Sequence, residues 1–185
     1  MEKNGLFWCL MEINGDFRML TFCGLDYCMM DGNGRIRLNT RFIDAFLAQD
    51  NGAFAMHCLP EGALALYPES TFQSIFRPAT ADLSSVAESF LARRMLRRIG
   101  GRTREDVLTR QGRVTVPPAF RDFAALNPGS EICVVGVEIG VELWNIERYE
   151  AEQKQIIAHE LERGRLEMAS DLNRMDIKKG NDDAF

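Results

Sequence analysis

Gly34-Arg35-Ile36-Arg37-Leu38 recurs 78 residues later as Gly112-Arg113-Val114-Thr115-Val116. The register persists beyond the motif: Phe42 answers Phe120, and Asp44 answers Asp122. Further on, Leu66-Tyr67 answers Leu143-Trp144 and Phe72 answers Tyr149, at an offset of 77 that one single-residue loop adjustment reconciles. Four matches in one order mark an internal duplication, and such a repeat is one supersecondary unit used twice.

Each copy carries the same local signals. A turn opens it, Asp31-Gly32-Asn33-Gly34 in the first and Thr109-Arg110-Gln111-Gly112 in the second, with Asn-Gly suited to the positive φ of tight hairpins. A short strand follows, then a helical turn or two with Phe42, Ala45 and Phe46 on one face. The second copy has Phe120, Phe123 and Ala124 there, behind a Pro117-Pro118 helix start. Two strands come next, predicted at Gly52–Cys58 and Ala63–Tyr67, then at Glu131–Val137 and Val141–Trp144. An amphipathic helix closes each copy, from near Pro68 with Phe72, Ile75 and Phe76, and from near Asn145 with Tyr149, Ile156 and Ile157. A third helix, about Ser84 to Ile99, links the copies, with Ser84 as N-cap and Gly100-Gly101 as stop; Leu83, Ala87, Leu91 and Met95 share one face of it. Residues 1–21 read as an irregular or strand-like extension, and the tail beyond Met175 is expected to fray.

Composition bounds the rest. At 185 residues, 46% hydrophobic and 26% charged, the chain has the make-up of an ordinary globular protein, so collagen-like, mucin-like and fully disordered classes are excluded. No apolar run approaches the ~18 residues that span a bilayer, and the first residues lack a secretory pattern. Five cysteines, odd in number and without a CxxC pair, predict reduced thiols in a cytoplasmic protein. The net charge of −5 conceals a strong asymmetry: residues 93–121 hold nine arginines against Glu105 and Asp106, while Glu142–Phe185 holds eleven acids and seven bases. A basic working surface with an acidic tail is the implied arrangement.

Phe22-Cys23-Gly24, the turn from Asp31 to Arg35, and above all Arg110 through Arg121 resemble the MraZ proteins, bacterial transcriptional regulators. Val135-Gly136-Val137 and Glu142-Leu143-Trp144-Asn145 resemble that family's closing strands, so the similarity runs from about Phe22 to Tyr149. The resemblance implies an α+β fold of two tandem AbrB-like, swapped-hairpin repeats forming a small barrel with short helices around it. It further implies ring-shaped homo-oligomers and binding to repeated promoter elements of cell-division and cell-wall genes. The family's Asp-x-x-x-Arg pattern falls on Asp31 and Arg35; in the second copy Arg113 is present but Thr109 replaces the acid. Asn33 stands where lysine is common and Asn39 where the strand usually ends in proline. The first removes a phosphate contact and the second is expected to loosen the start of the Phe42 helix.

Arg35 and Arg113 follow tight glycine turns, where a guanidinium can reach phosphate or a guanine edge. An internal clamp of Asp31 on Arg35 is the competing structural reading. Arg37 and Arg41 are expected to join Arg35 on one face, with Arg110 and Arg121 as further DNA contacts from the second copy, and Gly34 and Gly112 as turn support. The Arg93–Arg98 cluster reads first as a solvated face or an assembly contact. Asp31-Gly32-Asn33-Gly34 lacks the later ligands of a calcium loop, and His57-Cys58 with Cys23 and Cys28 matches no zinc spacing. No Gly-rich phosphate loop, nucleophile elbow or His-Glu-x-x-His is present, so no enzyme and no cofactor are expected.

The expected organisation is an extension (1–21), a first repeat (22–82), an Arg-rich linking helix (83–100), a second repeat (101–150) and a C-terminal helix and tail (151–185). The expected partners are double-stranded DNA and further copies of the chain, with no membrane, in the cytoplasm and at the nucleoid. The competing functions are an oligomeric interaction module that does not read DNA, and an AbrB-type antitoxin.

Overall fold

The computed structural model describes residues 10–13, 16–19, 21–76 and 88–182, with side chains described over 21–76 and 88–165. It is an α+β protein. A hairpin of β1 (Leu10–Ile13) and β2 (Asp16–Met19) precedes β3 (Cys23–Met29), β4 (Arg35–Arg37), α1 (Thr40–Asp50), β5 (Ala53–Cys58), β6 (Leu64–Pro68) and α2 (Glu69–Phe76). After α3 (Phe90–Gly100) come β7 (Thr103–Val107), β8 (Arg113–Thr115), α4 (Pro118–Ala124), β9 (Glu131–Val137), β10 (Val141–Asn145) and α5 (Ile146–Asp182). The order strand-strand-helix-strand-strand-helix thus occurs twice, from β3 to α2 and from β7 to α5.

The pairing interleaves these two stretches. One antiparallel sheet runs β3-β9-β10-β6-β5-β7, and β4 forms a separate two-stranded ribbon with β8. The first strand of each stretch therefore pairs with the third strand of the other: Tyr27 lies opposite Cys133, and Glu105 opposite Ala55. At the centre β6 pairs with β10, Ala65 facing Glu142. The expected barrel is not closed. The large sheet ends on the edges β3 and β7, and the three-residue strands β4 and β8 bond to each other rather than bridging those edges.

Phe22, Phe42, Phe46, Phe54, Met56, Leu64, Leu66, Ile132, Val134 and Leu143 build the core, joined by Ile36 and Val114 from the small ribbon. Phe46 is its hub, 4.8 Å from the Phe22 ring and 6.0 Å from Phe54 between centroids. Tyr67 and Trp144 are buried, as their place at strand ends predicts. Phe72 and Phe76 of α2 cover Tyr67 and His57.

Several local expectations change. Asn39 does not loosen α1; it caps it, Oδ1 accepting from the Arg41 N–H at 3.3 Å while its carbonyl accepts from Phe42 and Ile43. The described part of the linking helix starts at Phe90, with the Ser89 side chain accepting from Ala92 N–H; Leu83, Ser84 and Ala87 lie outside the described residues. Leu91 and Met95 from the expected apolar face are exposed. Cys28, Cys58 and Cys133 are free, but Cys23 is disulfide-bonded. An odd cysteine total requires one unpaired thiol and does not forbid a pair.

The chain divides into two compact units, Met1–Ile146 and Glu147–Phe185. The second is a continuous helix through Asp182, past the point where fraying was expected, and it exposes Ile156, Ile157 and Leu161. No helix of the described residues is long and apolar enough to cross a membrane.

Candidate nucleic-acid interface

The β4-β8 ribbon is where the repeated motif meets itself. Arg35 lies opposite Thr115, Ile36 opposite Val114 and Arg37 opposite Arg113. Two further bonds, Leu38 N–H to Gly112 O and Val116 N–H to Gly34 O, both 2.9 Å, extend the ladder. Strand alternation turns Ile36 and Val114 into the core and leaves Arg35, Arg37, Arg113 and Thr115 exposed. Three guanidinium-bearing positions therefore share one solvent face, two of them directly across from each other. Like charges so placed destabilise a sheet unless something negative covers them.

Asp31 organises the first turn through the backbone. Its Oδ1 accepts from Asn33 N–H at 2.8 Å and Arg35 N–H at 2.9 Å, and its own N–H donates to Arg35 O at 2.8 Å. The Arg35 N–H, then the Asn33 N–H and the charges of Arg35 and Arg113, hold the carboxyl below the usual carboxylate range. The clamp considered from sequence thus exists as a backbone clamp, and it leaves the Arg35 guanidinium on the exposed face. In the second turn Thr109 contributes its carbonyl, which accepts from Gly112 N–H at 2.8 Å.

The two turn glycines rest on opposite halves of the chain. Gly34 has φ +75°, and a Cβ there would meet the Arg121 guanidinium, with Nη1 at 2.6 Å. Gly112 has φ +68°, and a Cβ there would overlap the Ile43 side chain. Ile43 and Arg121 occupy matching positions, each one residue beyond the paired phenylalanines Phe42 and Phe120. Each turn is seated on the other half's helix, one on an aliphatic side chain and one on a cation.

The other arginines named from sequence part company here. Arg110 is exposed beside the ribbon and borders a hollow with Arg37 and Asp44. Arg41 is not on the strand face. It lies in α1, donating to Leu25 O at 3.1 Å, close under Gly24 and 4.7 Å from the Phe42 ring centre. Arg121 is half-buried beneath Gly34, its Nε without a hydrogen-bond partner. Arg94, Arg97 and Arg98 are exposed on α3. Sequence spacing did not signal these positions of Arg41 and Arg121, because each guanidinium meets backbone outside its own helix, at Leu25 and Gly34.

A family model described as "MraZ protein, putative antitoxin-like" matches residues 102–171. The chain is 32% identical over 135 residues to the transcriptional regulator MraZ of Pseudoalteromonas translucida, covering 72% of this chain and 86% of that one. It is 30% identical over 145 residues to the transcriptional regulator MraZ of Methylobacillus flagellatus, covering 78% and 90%. To that of Coxiella burnetii it is 28% identical over 144 residues, covering 77% and 91%. At 32% and 30% identity over most of each chain, these relatives show that the chain belongs to the MraZ family.

Proposed function

We propose that this chain is a sequence-specific DNA-binding transcriptional regulator that works as a homo-oligomer on repeated promoter elements of cell-division and cell-wall genes, in the cytoplasm and at the nucleoid. The observation that carries the reading is the ribbon face, where Arg37 stands opposite Arg113 with Arg35 alongside. A two-stranded ribbon fits the major groove, and arginine there bonds phosphate or the guanine edge. Arg35, Arg37 and Arg113 make the contacts in this reading, with Arg110 at the margin. Arg41 and Arg121 hold β3 and the first turn in place. The two stretches are tandem copies of one AbrB-like, swapped-hairpin unit, over 22–82 and 101–150.

Self-association is assigned to the β3 edge. Leu25, Tyr27 and Met29 alternate there at 45%, 49% and 59% exposure, and an edge that no described strand covers, with a half-exposed apolar row, invites another chain. Several ribbons in one assembly then reach successive DNA repeats, raising avidity through effective concentration. The same edge, with the net charge of −5, supports a second reading, an interaction module that assembles without reading DNA.

Fluorescence anisotropy with DNA from upstream of the protein's own gene, at two salt concentrations and against a scrambled duplex, tests both. Selective binding that weakens with salt, by about 0.9 in log-log slope per phosphate contact, is expected. Arg35→Ala should cut the affinity sharply with an unchanged melting temperature. An intact oligomer with no sequence preference at low salt would establish the interaction module instead.

A further inference from the structure

Away from the ribbon, a cleft of about 290 Å3 opens between the β5-β6 turn and α3. Leu59, Phe76, Met95 and Ile99 form apolar walls, Arg98 and Arg102 supply two cations, and His57 completes the lining. Met95, Arg98 and Ile99 follow helical i, i+3, i+4 spacing, so α3 turns one face to the opening, and Arg102 reaches it from the turn just beyond the helix. Arg102 sits 5.4 Å from the Phe123 ring centre, which helps to fix its position. No carboxylate is among the described residues lining the cleft.

His57 is buried, and its hydrogen bonds define its state. The Thr103 hydroxyl donates to Ile99 O at 2.7 Å, so it accepts from His57 Nδ1–H at 2.9 Å. The Nε2 lone pair is left as an acceptor. Desolvation first, then the positive charges of Arg102 and Arg98, push the imidazole pKa down, against a smaller opposing effect of the Arg102 backbone. The cleft therefore joins two cations and a neutral acceptor to apolar walls, a combination complementary to a charged head on a hydrocarbon or aryl body.

We propose that the His57–Arg98–Arg102 cleft binds a small amphipathic anion, a carboxylate on an aryl or short alkyl body. Its volume is at the low end of ligand pockets, ~300 Å3 and upward, which limits the body to one or two rings or about eight carbons. The guanidiniums take the carboxylate, Phe76, Met95 and Leu59 take the body, and Nε2 accepts from a hydroxyl where the ligand carries one.

The test is calorimetric titration of the full chain with octanoate, with octan-1-ol as the uncharged comparison. Saturable one-to-one binding of octanoate is expected, at least about tenfold weaker in the Arg98→Gln/Arg102→Gln variant, the usual size of a lost charge-assisted contact. The Arg94→Gln/Arg97→Gln variant, which alters the same helix outside the cleft, should bind normally, and circular dichroism melting should show both variants folded. Absence of saturation, equal affinity for octan-1-ol, or equal loss in both variants would overturn the proposal. So would displacement of octanoate by duplex DNA, which would assign these arginines to a nucleic-acid surface.

Discussion

Asp31 shows how one carboxylate can act through the backbone while leaving a neighbouring cation exposed. Because its folded pKa is depressed, its stabilising effect is complete above its unfolded value, near 3.9, and fades as pH falls through the lower folded value. Asp31→Asn should therefore lower urea stability at pH 7, and the gap from the wild type should narrow as acid is added; a constant gap would mean the charge is irrelevant to the turn. Ala125 is a second informative residue. It ends α4 with φ +53°, a left-handed conformation that costs a residue with a Cβ about 1–2 kcal/mol. Ala125→Gly should stabilise the protein by about 1 kcal/mol, the strain relief being partly offset by glycine's greater unfolded freedom. The same residue's carbonyl accepts from Asn145 Nδ2 at 3.1 Å, a bond the substitution leaves intact.

At the scale of an element, the β4-β8 ribbon sets stability and proposed function against each other. Ile36 and Val114 anchor it in the core, so Ile36→Ala should cost about 2–5 kcal/mol in denaturant unfolding, the range for a truncated buried aliphatic. The Arg37–Arg113 pair has the opposite character. Arg113→Glu converts a like-charge cross-strand pair into an ion pair and should stabilise the ribbon by a few tenths to ~1 kcal/mol. The same change should sharply weaken DNA binding. Opposite signs in the two assays would identify the charge arrangement as functional; a parallel fall in both would make the arginines structural. The spacing of the two Gly-Arg motifs located both strands of the ribbon. Their mutual pairing could not be read from either motif alone, because cross-strand partners are chosen by the whole sheet.

The whole molecule is held by exchange between its two stretches. β3 takes its partner from β9 and β7 takes its partner from β5, each contact closing a loop of many residues. Each stretch pairs one hairpin of its own, β5-β6 or β9-β10, but β3, β4, β7 and β8 all take their partners from the other stretch. Residues 22–82 or 101–150 expressed alone should be largely unfolded by circular dichroism, whereas mixing the two should recover sheet signal. Within Met1–Ile146, urea unfolding of a Trp8→Phe variant, followed by the fluorescence of the remaining Trp144 and by far-ultraviolet circular dichroism, should give one coincident transition. Independent folding of either piece, or two separated transitions, would show that the exchange is not what couples the halves.

The local signals of this sequence were sufficient to place the ribbon strands β4 and β8, the hairpins β5-β6 and β9-β10 and the helices beside them, but not β3 or β7. Turn chemistry at Asn33-Gly34, the Pro117-Pro118 helix start, β-rich runs such as Glu131–Val137 and the Phe42 and Phe120 periodicity are all properties of a few neighbouring residues. The first strands of the two stretches escaped detection as counterparts, since Leu25, Tyr27 and Met29 correspond to Thr103, Glu105 and Val107 with no shared identity. Tertiary structure alone decided that these strands pair between the two stretches, that the large sheet stays open, and that Arg41 meets the Leu25 carbonyl and Arg121 lies half-buried beneath Gly34 while Arg35, Arg37 and Arg113 share the exposed ribbon face. The physical reason is range. Caps, turns and amphipathic faces are set within one or two turns of chain, whereas the strand partners joining the two stretches lie from 46 residues (His57 and Thr103) to 114 residues (Cys23 and Val137) apart, and the place of a guanidinium depends on backbone outside its own helix, so only the packed core brings these groups together.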